Sequence, residues 1–464
     1  MLFTNYRPIA IVSSIGKLLE KIVSEQLSYH LEENDILNNN QYGFRANHSI
    51  EHPLLQFSKK LLDSLNDGKI NISTFIDLKK AFDTVDLSIL LDKLFHYGVR
   101  GKELLWFVNY LKRSQQVFTG EALSDIVLML CGIPQGTVLG PLLFILFIND
   151  LPEAVKLFCQ LFADDCTLQS EGLNLEELVR NTSYELSKAE AWFASNKLTL
   201  NLKKTKFAIY GNSPADLTLI PDLTIGGVPI DRIGVSQDEK SVRFLGLWVS
   251  DDSTFNYHIE KIKPKLNIGL YHLSASREFS PMRILLNIYR SLFESQIRFA
   301  NIIFGSAPRF KIEELFKLQK RAVGHIVKAH YVSHTEHIFL KLNILKIKDL
   351  LNHSRACLVH KYRCGFLPKS FTRTFFTYVG DQESSRRGDP LCVIIPELNY
   401  KNLSKNPYIE ICQAWNNVPY EFKLLTKHSE FKKALQDYHI SKYTEVCSKL
   451  NCHSCLMTDL KANN

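Results

Sequence analysis

The sequence predicts an α+β protein, and three observations carry that prediction. Helical spacing of apolar residues dominates the first seventy residues and everything beyond residue 255. Between them, short apolar runs bounded by turn residues read as strands. Two of those strands end in acid, at Asp77 and at Asp164-Asp165.

Residues 1–74 read mainly as helices, with apolar spacing through Leu18, Ile22, Leu27 and Leu31 and a turn near Asn38 to Gly43. Thr74-Phe75-Ile76 is an apolar strand that delivers Asp77 where helical patterning begins. Gly132 and Gly136 flank Pro134-Gln135 in a loop ahead of an apolar helix starting near Leu139 or Pro141, as suits proline in a first turn. The runs Leu157 to Ala163 and Cys166 to Leu168 enclose Asp164-Asp165, a hairpin turn presenting acid. An amphipathic stretch from Leu186 to Leu198 leads into Lys203-Lys204-Thr205-Lys206, and Gly226-Gly227 marks a second hairpin. Further on, Ile284-Leu285-Ile288-Leu292 and Leu315-Leu318-Ala322-Ile326 are helical faces.

At 464 residues and 45% apolar, the chain can bury a large core and is expected to divide into two or more subdomains. No charged segment followed by an apolar one opens it, and the most apolar piece, 138–148, is broken by Gly140-Pro141 and too short to span a bilayer. Ten scattered cysteines suit a reducing compartment. Cys447, Cys452, His453 and Cys455 do not complete a tetrahedral knuckle, so no structural zinc is expected. Charge is uneven: residues 1–250 hold 24 Lys and Arg against 29 Asp and Glu, whereas 251–464 hold 32 against 19. Basic residues from Lys261 to Lys369, interleaved with Tyr271, Tyr289, Tyr331 and Tyr362, suit a surface that follows a phosphate backbone, although solvated helix faces explain part of them.

Carboxylates at neighbouring strand ends suit hard, oxygen-seeking cations such as Mg²⁺ better than zinc. Two such ions about 3.5–4 Å apart serve phosphoryl transfer by activating the attacking oxygen and stabilising the leaving one. Alone, an Asp-Asp pair more often marks a solvated turn.

The neighbouring blocks decide between these readings. The chain resembles the reverse transcriptases of non-LTR (LINE-type) retrotransposons, in particular the jockey-like branch. "FIDLKKAFDTV" from Phe75 resembles the first catalytic motif, "GIPQGTVLGPLLF" from Gly132 the template and nucleotide motif, and "FADD" from Phe162 the second catalytic motif, in the family's order. "NYRPIAIVSSIGKLLEKIV" at Asn5, "QYGFRANHS" at Gln41, "INDLP" at Ile148, "NKLTLNLKKTK" at Asn196 and "FLGLWV" at Phe244 also match, and weaker likeness continues at Leu318 and Ala414.

The resemblance implies a right-hand polymerase: fingers elements over 1–74, an antiparallel-sheet palm over 75–250, a helical thumb over 251–345 and a mainly helical C-terminal extension over 346–464. It implies an RNA-directed DNA polymerase that extends a DNA 3′ end on an RNA template with deoxynucleoside triphosphates, without a membrane. Asp77 and Asp164 would be the principal ligands of two Mg²⁺ ions, replaceable by Mn²⁺, with Asp165 weaker. Phe82 would lie under the incoming sugar and exclude a 2′-OH, or else simply pack the core. Gln135 would have its amide free near nucleotide and template, with Gly132, Pro134 and Gly136 shaping the loop for close approach. Lys204 would protonate or neutralise the leaving pyrophosphate, unless it is a solvated strand edge. Arg45 would reach the triphosphate or template, or form a surface ion pair. Phe244-Leu245-Gly246 would support the primer end.

The chain begins almost inside the Tyr6-Arg7-Pro8 block, which implies an N-terminal truncation relative to the family. Pro53 and Ile50 depart from its usual residues, and neither is a metal ligand. A catalytically inactive nucleic-acid-binding remnant is the alternative. Priming on chromosomal DNA implies the nucleus, with no strong basic localisation cluster in support, and the cytoplasm remains open.

Overall fold

The computed structural model describes residues 9–443, apart from 212–221, 235–239, 253, 330–333, 372–374, 382–388, 401–402 and 404. The chain forms two compact units, one of residues 1–53 and 68–240, the other of 54–67 and 241–464.

In the first unit, helix α1 (Ser14–Glu33) is capped by Ser13, whose hydroxyl accepts the Gly16 N–H. Its C-terminal half follows the apolar spacing, with Leu27 and Leu31 buried. Its N-terminal half does not. Leu18 and Ile22, expected on the core side, are 62% and 47% exposed, while Glu20 is 3% exposed. Helix α2 (Glu51–Asn66) belongs mostly to the second unit.

Strand β1 (Ile70–Ile76), which starts a turn earlier than the helical reading of 1–74 allows, is buried along its whole length. It is the centre of a five-stranded sheet. After it come a single 3₁₀ turn (Ala81–Thr84), helices α3 (Leu87–His96) and α4 (Gly101–Leu111), and a small ribbon of β2 (Ser114–Gln115) and β3 (Val127–Leu128). Helix α5 (Gly140–Phe147) is apolar on every side and wholly buried apart from Pro141, as a helix surrounded by core must be. A short helix α6 (Leu151–Ala154) leads to the hairpin of β4 (Phe158–Phe162) and β5 (Asp165–Gly172). Helix α7 (Leu175–Ser195), capped by Asn174, precedes β6 (Lys206–Tyr210), the Gly226-Gly227 hairpin of β7 (Thr224–Ile225) and β8 (Val228–Pro229), and β9 (Asp231–Arg232).

The sheet order is β4-β5-β1-β6-β9, antiparallel except for the last pair. Alternation along β1 sends Ile70, Ile72 and Ile76 into one core with Cys166 and Leu168 of β5 and Leu178, Leu186 and Phe193 of α7. Helix α7 therefore covers one face of the sheet, and the residues that alternate with that set point to the other.

In the second unit, β10 (Ser241–Phe244) and β11 (Leu247–Ser250) form a hairpin, and helix α8 (Asn256–Ser276) opens a mainly helical region, as the periodicity indicates. Helix Ile347–Arg363 is its core, with helices Pro407–Asn416 and His428–Ser441 packed against it. A buried ion pair, Arg355 with Glu410, joins two of these helices. Cys447, Cys452, His453 and Cys455 lie outside the described residues.

Candidate active site

Three segments of the first unit build the site. β1 pairs with β5 from Ile70 opposite Gly172 to Ile76 opposite Cys166. One step further in that register puts Asp77 opposite Asp165, on the sheet face away from α7. Directly opposed antiparallel residues have Cβ atoms roughly 4.5–5.5 Å apart. Asp164 sits in the two-residue turn between Phe162 and Asp165, which are themselves paired. The acidic hairpin of the sequence reading is thus present, at the end of the strand that pairs with β1 just before Asp77.

The turn is held from outside. Ala163 adopts φ 56°, which costs a residue with a Cβ about 1–2 kcal/mol. Its N–H donates to Gln41 Oε1 at 3.2 Å, and the same oxygen accepts the Gly43 N–H at 2.9 Å. Tyr42 N–H donates to Leu161 O at 2.8 Å and Leu161 N–H to Asn40 O at 2.9 Å. Gly43 is required here, because a Cβ would lie 2.5 Å from Ala163 N.

Asp77 is half-buried and anchored on the other side. Asn201 Nδ2 donates to Asp77 Oδ2 at 2.7 Å, Asn201 N–H donates to Asp77 O at 2.8 Å, and Asp77 N–H donates to Thr205 Oγ1 at 3.3 Å. Lys204 is exposed in the turn that starts at Asn201. Asn201 has no role in the sequence reading; its place in the "NKLTLNLKKTK" block is the signal that could have marked it.

The Gly132 to Gly140 loop is tied to the segment after Asp77. Gly132 N–H donates to Val85 O at 2.7 Å and Ile133 N–H to Phe82 O at 2.7 Å. The Gln135 amide is not free: Nε2 donates to Asp83 Oδ1 at 3.0 Å, and Gln135 O accepts the Ala10 N–H at 2.8 Å. Nor do the glycines serve close approach of a base alone. Gly132 has φ 91° and a Cβ there would meet Asp83 O at 2.8 Å, while one on Gly136, at φ 92°, would stand 3.1 Å from Ile9. Pro134 O accepts the Thr137 hydroxyl at 2.9 Å. Asp86 caps α3, and the Lys197 ammonium 2.5 Å away holds its carboxyl well below the usual range.

The Phe82 ring stacks on the buried Phe144 ring, centroids 4.4 Å apart and planes at 23°, and is itself only half-buried. Arg45 has a different setting from the one expected at a triphosphate. Its guanidinium forks onto Glu32 at 2.9 and 2.8 Å and donates to Asn38 O at 2.8 Å, with the side chain 5% exposed. That geometry is the ion-pair alternative, and it joins the end of α1 to the Gln41 turn.

Phe244, Leu245 and Gly246 lie in the second unit, in the tight β10–β11 turn, with φ of 48° at Leu245 and 85° at Gly246. Both signs match the type I′ turn that suits a hairpin. The space a Gly246 Cβ would need is filled by Phe299, 2.8 Å away.

Among the described residues no group of three or more His, Cys, Asp or Glu side chains is gathered to hold a metal by itself. The oxygen-only donors at Asp77, Asp164 and Asp165 are nevertheless the type Mg²⁺ takes when one or two carboxylates share it with substrate phosphates.

Residues 3–249 match the family model described as reverse transcriptase (RNA-dependent DNA polymerase), more than half of the chain. The chain belongs to the reverse transcriptase family. It is 27% identical over 367 residues to a probable RNA-directed DNA polymerase from transposon BS of Drosophila melanogaster, covering 75% of this chain and 39% of that protein. It is 22% identical over 395 residues to the RNA-directed DNA polymerase from mobile element jockey of the same species, covering 80% and 41%. The resemblance to jockey-like polymerases is therefore borne out, and the chain spans about two fifths of the length of these relatives. Apo telomerase from Candida tropicalis is similar at 12% identity over 69% of this chain and 53% of that one, with a TM-score of 0.38, too low to carry an argument. The reverse transcriptase domain accounts for the order of the blocks around Asp77, Gln135 and Asp164. No helix among the described residues is long and apolar enough to cross a membrane.

Proposed function

We propose that this chain is the polymerase portion of a non-LTR mobile element, an RNA-directed DNA polymerase that adds deoxynucleotides to a DNA 3′ end on an RNA template. The observation that carries the reading is the pairing of β1 with β5 up to Ile76 opposite Cys166, which ends β1 just before Asp77 and beside the turn that holds Asp164. The Asn201 bond to the Asp77 carboxylate and the Gln41 bond to the Ala163 turn support the catalytic reading over the inactive remnant.

In the reaction, the primer 3′ oxygen forms a bond to the α-phosphorus of a deoxynucleoside triphosphate, and the bond to the bridging oxygen of pyrophosphate breaks in line. Asp77 and Asp164, and more weakly Asp165, would hold Mg²⁺, or Mn²⁺ in its place, which would supply positive charge to the phosphoryl transfer. Asn201 fixes one oxygen of Asp77, so the carboxylate is oriented before substrate arrives. Phe82, backed by Phe144, offers a rigid ring under the sugar, where a 2′-OH would clash. Gln135, braced by Asp83, sets the loop beside the nucleotide and template. Lys204 neutralises or protonates pyrophosphate from its exposed turn. The β10–β11 turn at Phe244-Leu245-Gly246 supports the primer end, and the basic excess after residue 250 holds the duplex backbone. Priming on chromosomal DNA would call for action in the nucleus, with the cytoplasm as the alternative.

The test is primer extension on an RNA template. The wild type incorporates labelled deoxynucleotides in Mg²⁺, whereas the remnant reading requires binding without incorporation.

A further inference from the structure

A buried carboxylate on α1 has no part in the chemistry above. Glu20 is 3% exposed on a helix whose neighbouring Leu18 and Ile22 face outward. Burying a carboxylate costs several kcal/mol unless donors satisfy it, so its position needs a reason. Three donors converge on it. Val138 N–H donates to Oε2 at 2.7 Å, Tyr110 hydroxyl to Oε1 at 2.9 Å, and Arg113 Nη2 to Oε1 at 3.4 Å.

Val138 follows Gln135-Gly136-Thr137 directly and precedes α5. The upstream end of that loop is fastened by Gly132 and Ile133 to the backbone around Phe82, and its middle by Gln135 to Asp83 and Ala10. At the downstream end Glu20 accepts the Val138 N–H, and Tyr110, which donates to Glu20, also reaches the Thr137 side chain. Tyr110 and Arg113 of the α4 region brace the carboxylate in turn. The Arg113 guanidinium lies 3.7 Å from the Tyr110 ring centroid and its Nε donates to Tyr110 O at 2.6 Å. Burial holds the Tyr110 phenol up to about 12, so it stays a donor at any working pH.

We infer that Glu20 is a positioning residue for the nucleotide and template loop, setting the distance between Gln135 and the Asp83-Phe82 segment through Val138. This rests on the polymerase reading of the loop.

The experiment compares full-length wild type, Glu20→Gln and Tyr110→Phe. A carboxamide offers one acceptor oxygen to three donors and turns an NH₂ toward Arg113 or Val138. Three readouts are taken: the KM for deoxynucleotide on an RNA template, kcat, and hydrogen exchange of the segment 135–141, with thermal melting alongside. Glu20→Gln is expected to raise KM about tenfold, keep kcat within about threefold, and speed exchange at Val138. Tyr110→Phe, which removes one brace of the carboxylate and keeps the Glu20 to Val138 bond, is expected to shift KM and exchange in the same direction but clearly less than Glu20→Gln. Unchanged exchange and KM in Glu20→Gln overturns the inference, as does a KM rise that Tyr110→Phe reproduces in full. A wild type that does not extend primers refutes the polymerase reading, while the exchange comparison still decides whether Glu20 holds the loop.

Discussion

Gln41 and Ala163 are 122 residues apart, and the hydrogen bond of 3.2 Å from Ala163 N–H to Gln41 Oε1 helps hold the turn that carries Asp164. Gly43 completes the contact, since its missing side chain lets Ala163 N approach. The "QYGF" block is thus a support for the "FADD" hairpin.

Replacing Gly43 with Ala tests that support. The new Cβ cannot share space with Ala163 N, and overpacking of this kind costs about 1–3 kcal/mol. Because the strain falls on the turn, kcat should drop at least tenfold while affinity for RNA is kept. Primer extension and binding anisotropy check it; loss of binding in parallel with kcat would mean general unfolding instead.

Asn201→Ala removes the donor to Asp77 Oδ2. A hydrogen bond to a charged group contributes about 1.5–3 kcal/mol. If that orientation is felt in the transition state, kcat falls roughly 10- to 100-fold with little change in KM for deoxynucleotide. Steady-state kinetics with a short primed template separates the two constants.

Phe82→Val withdraws the ring stacked on Phe144. Stability should fall by about 1–3 kcal/mol, less than for a fully buried phenylalanine. Ribonucleotide incorporation relative to deoxynucleotide should rise at least tenfold, measured as the ratio of kcat/KM values. An unchanged ratio would leave Phe82 as a packing residue only.

Acid should weaken the second unit. Burial pushes the imidazoles of His258 and His353 down to about 4, against an ordinary value of about 6.5. As pH falls below 6.5 the unfolded chain takes up protons that the folded one refuses until about 4. Stability is therefore full above pH 6.5 and is lost toward pH 4, with a slope of about 1.4 kcal/mol per pH unit for each histidine. His258 Nδ1 accepts the Trp248 N–H at 3.3 Å, a bond that protonation breaks. Urea unfolding from pH 7.5 to 4.5 should show that slope, and His258→Asn should flatten it by about one proton.

The motifs made the active segments legible, because strand ends, glycines and acid at fixed spacing have direct geometric consequences. The acidic hairpin, the Gly226-Gly227 turn, the start of α5 and the helical region after residue 255 all lie where their residues indicate. What the sequence hides is the partner. Periodicity gives α1 a face but not what meets it, so the spacing places Leu18 and Ile22 inside while the structure turns them out and buries Glu20. Arg45 suits phosphate or carboxylate equally, and only the fold brings Glu32 to it. The free amide expected of Gln135 is taken by Asp83, and Gly132 and Gly136 answer to protein neighbours.

The central claim is that Asp77 and Asp164 form the catalytic centre of a polymerase. The measurement that tests it most directly is incorporation of labelled deoxynucleotide on a primed RNA template in Mg²⁺ by wild type, Asp77→Ala and Asp164→Ala, with RNA binding measured on the same samples. The account predicts incorporation by the wild type and a loss of at least a thousandfold in both variants at unchanged binding. Incorporation that survives either substitution, or a wild type that binds and does not extend, would contradict it.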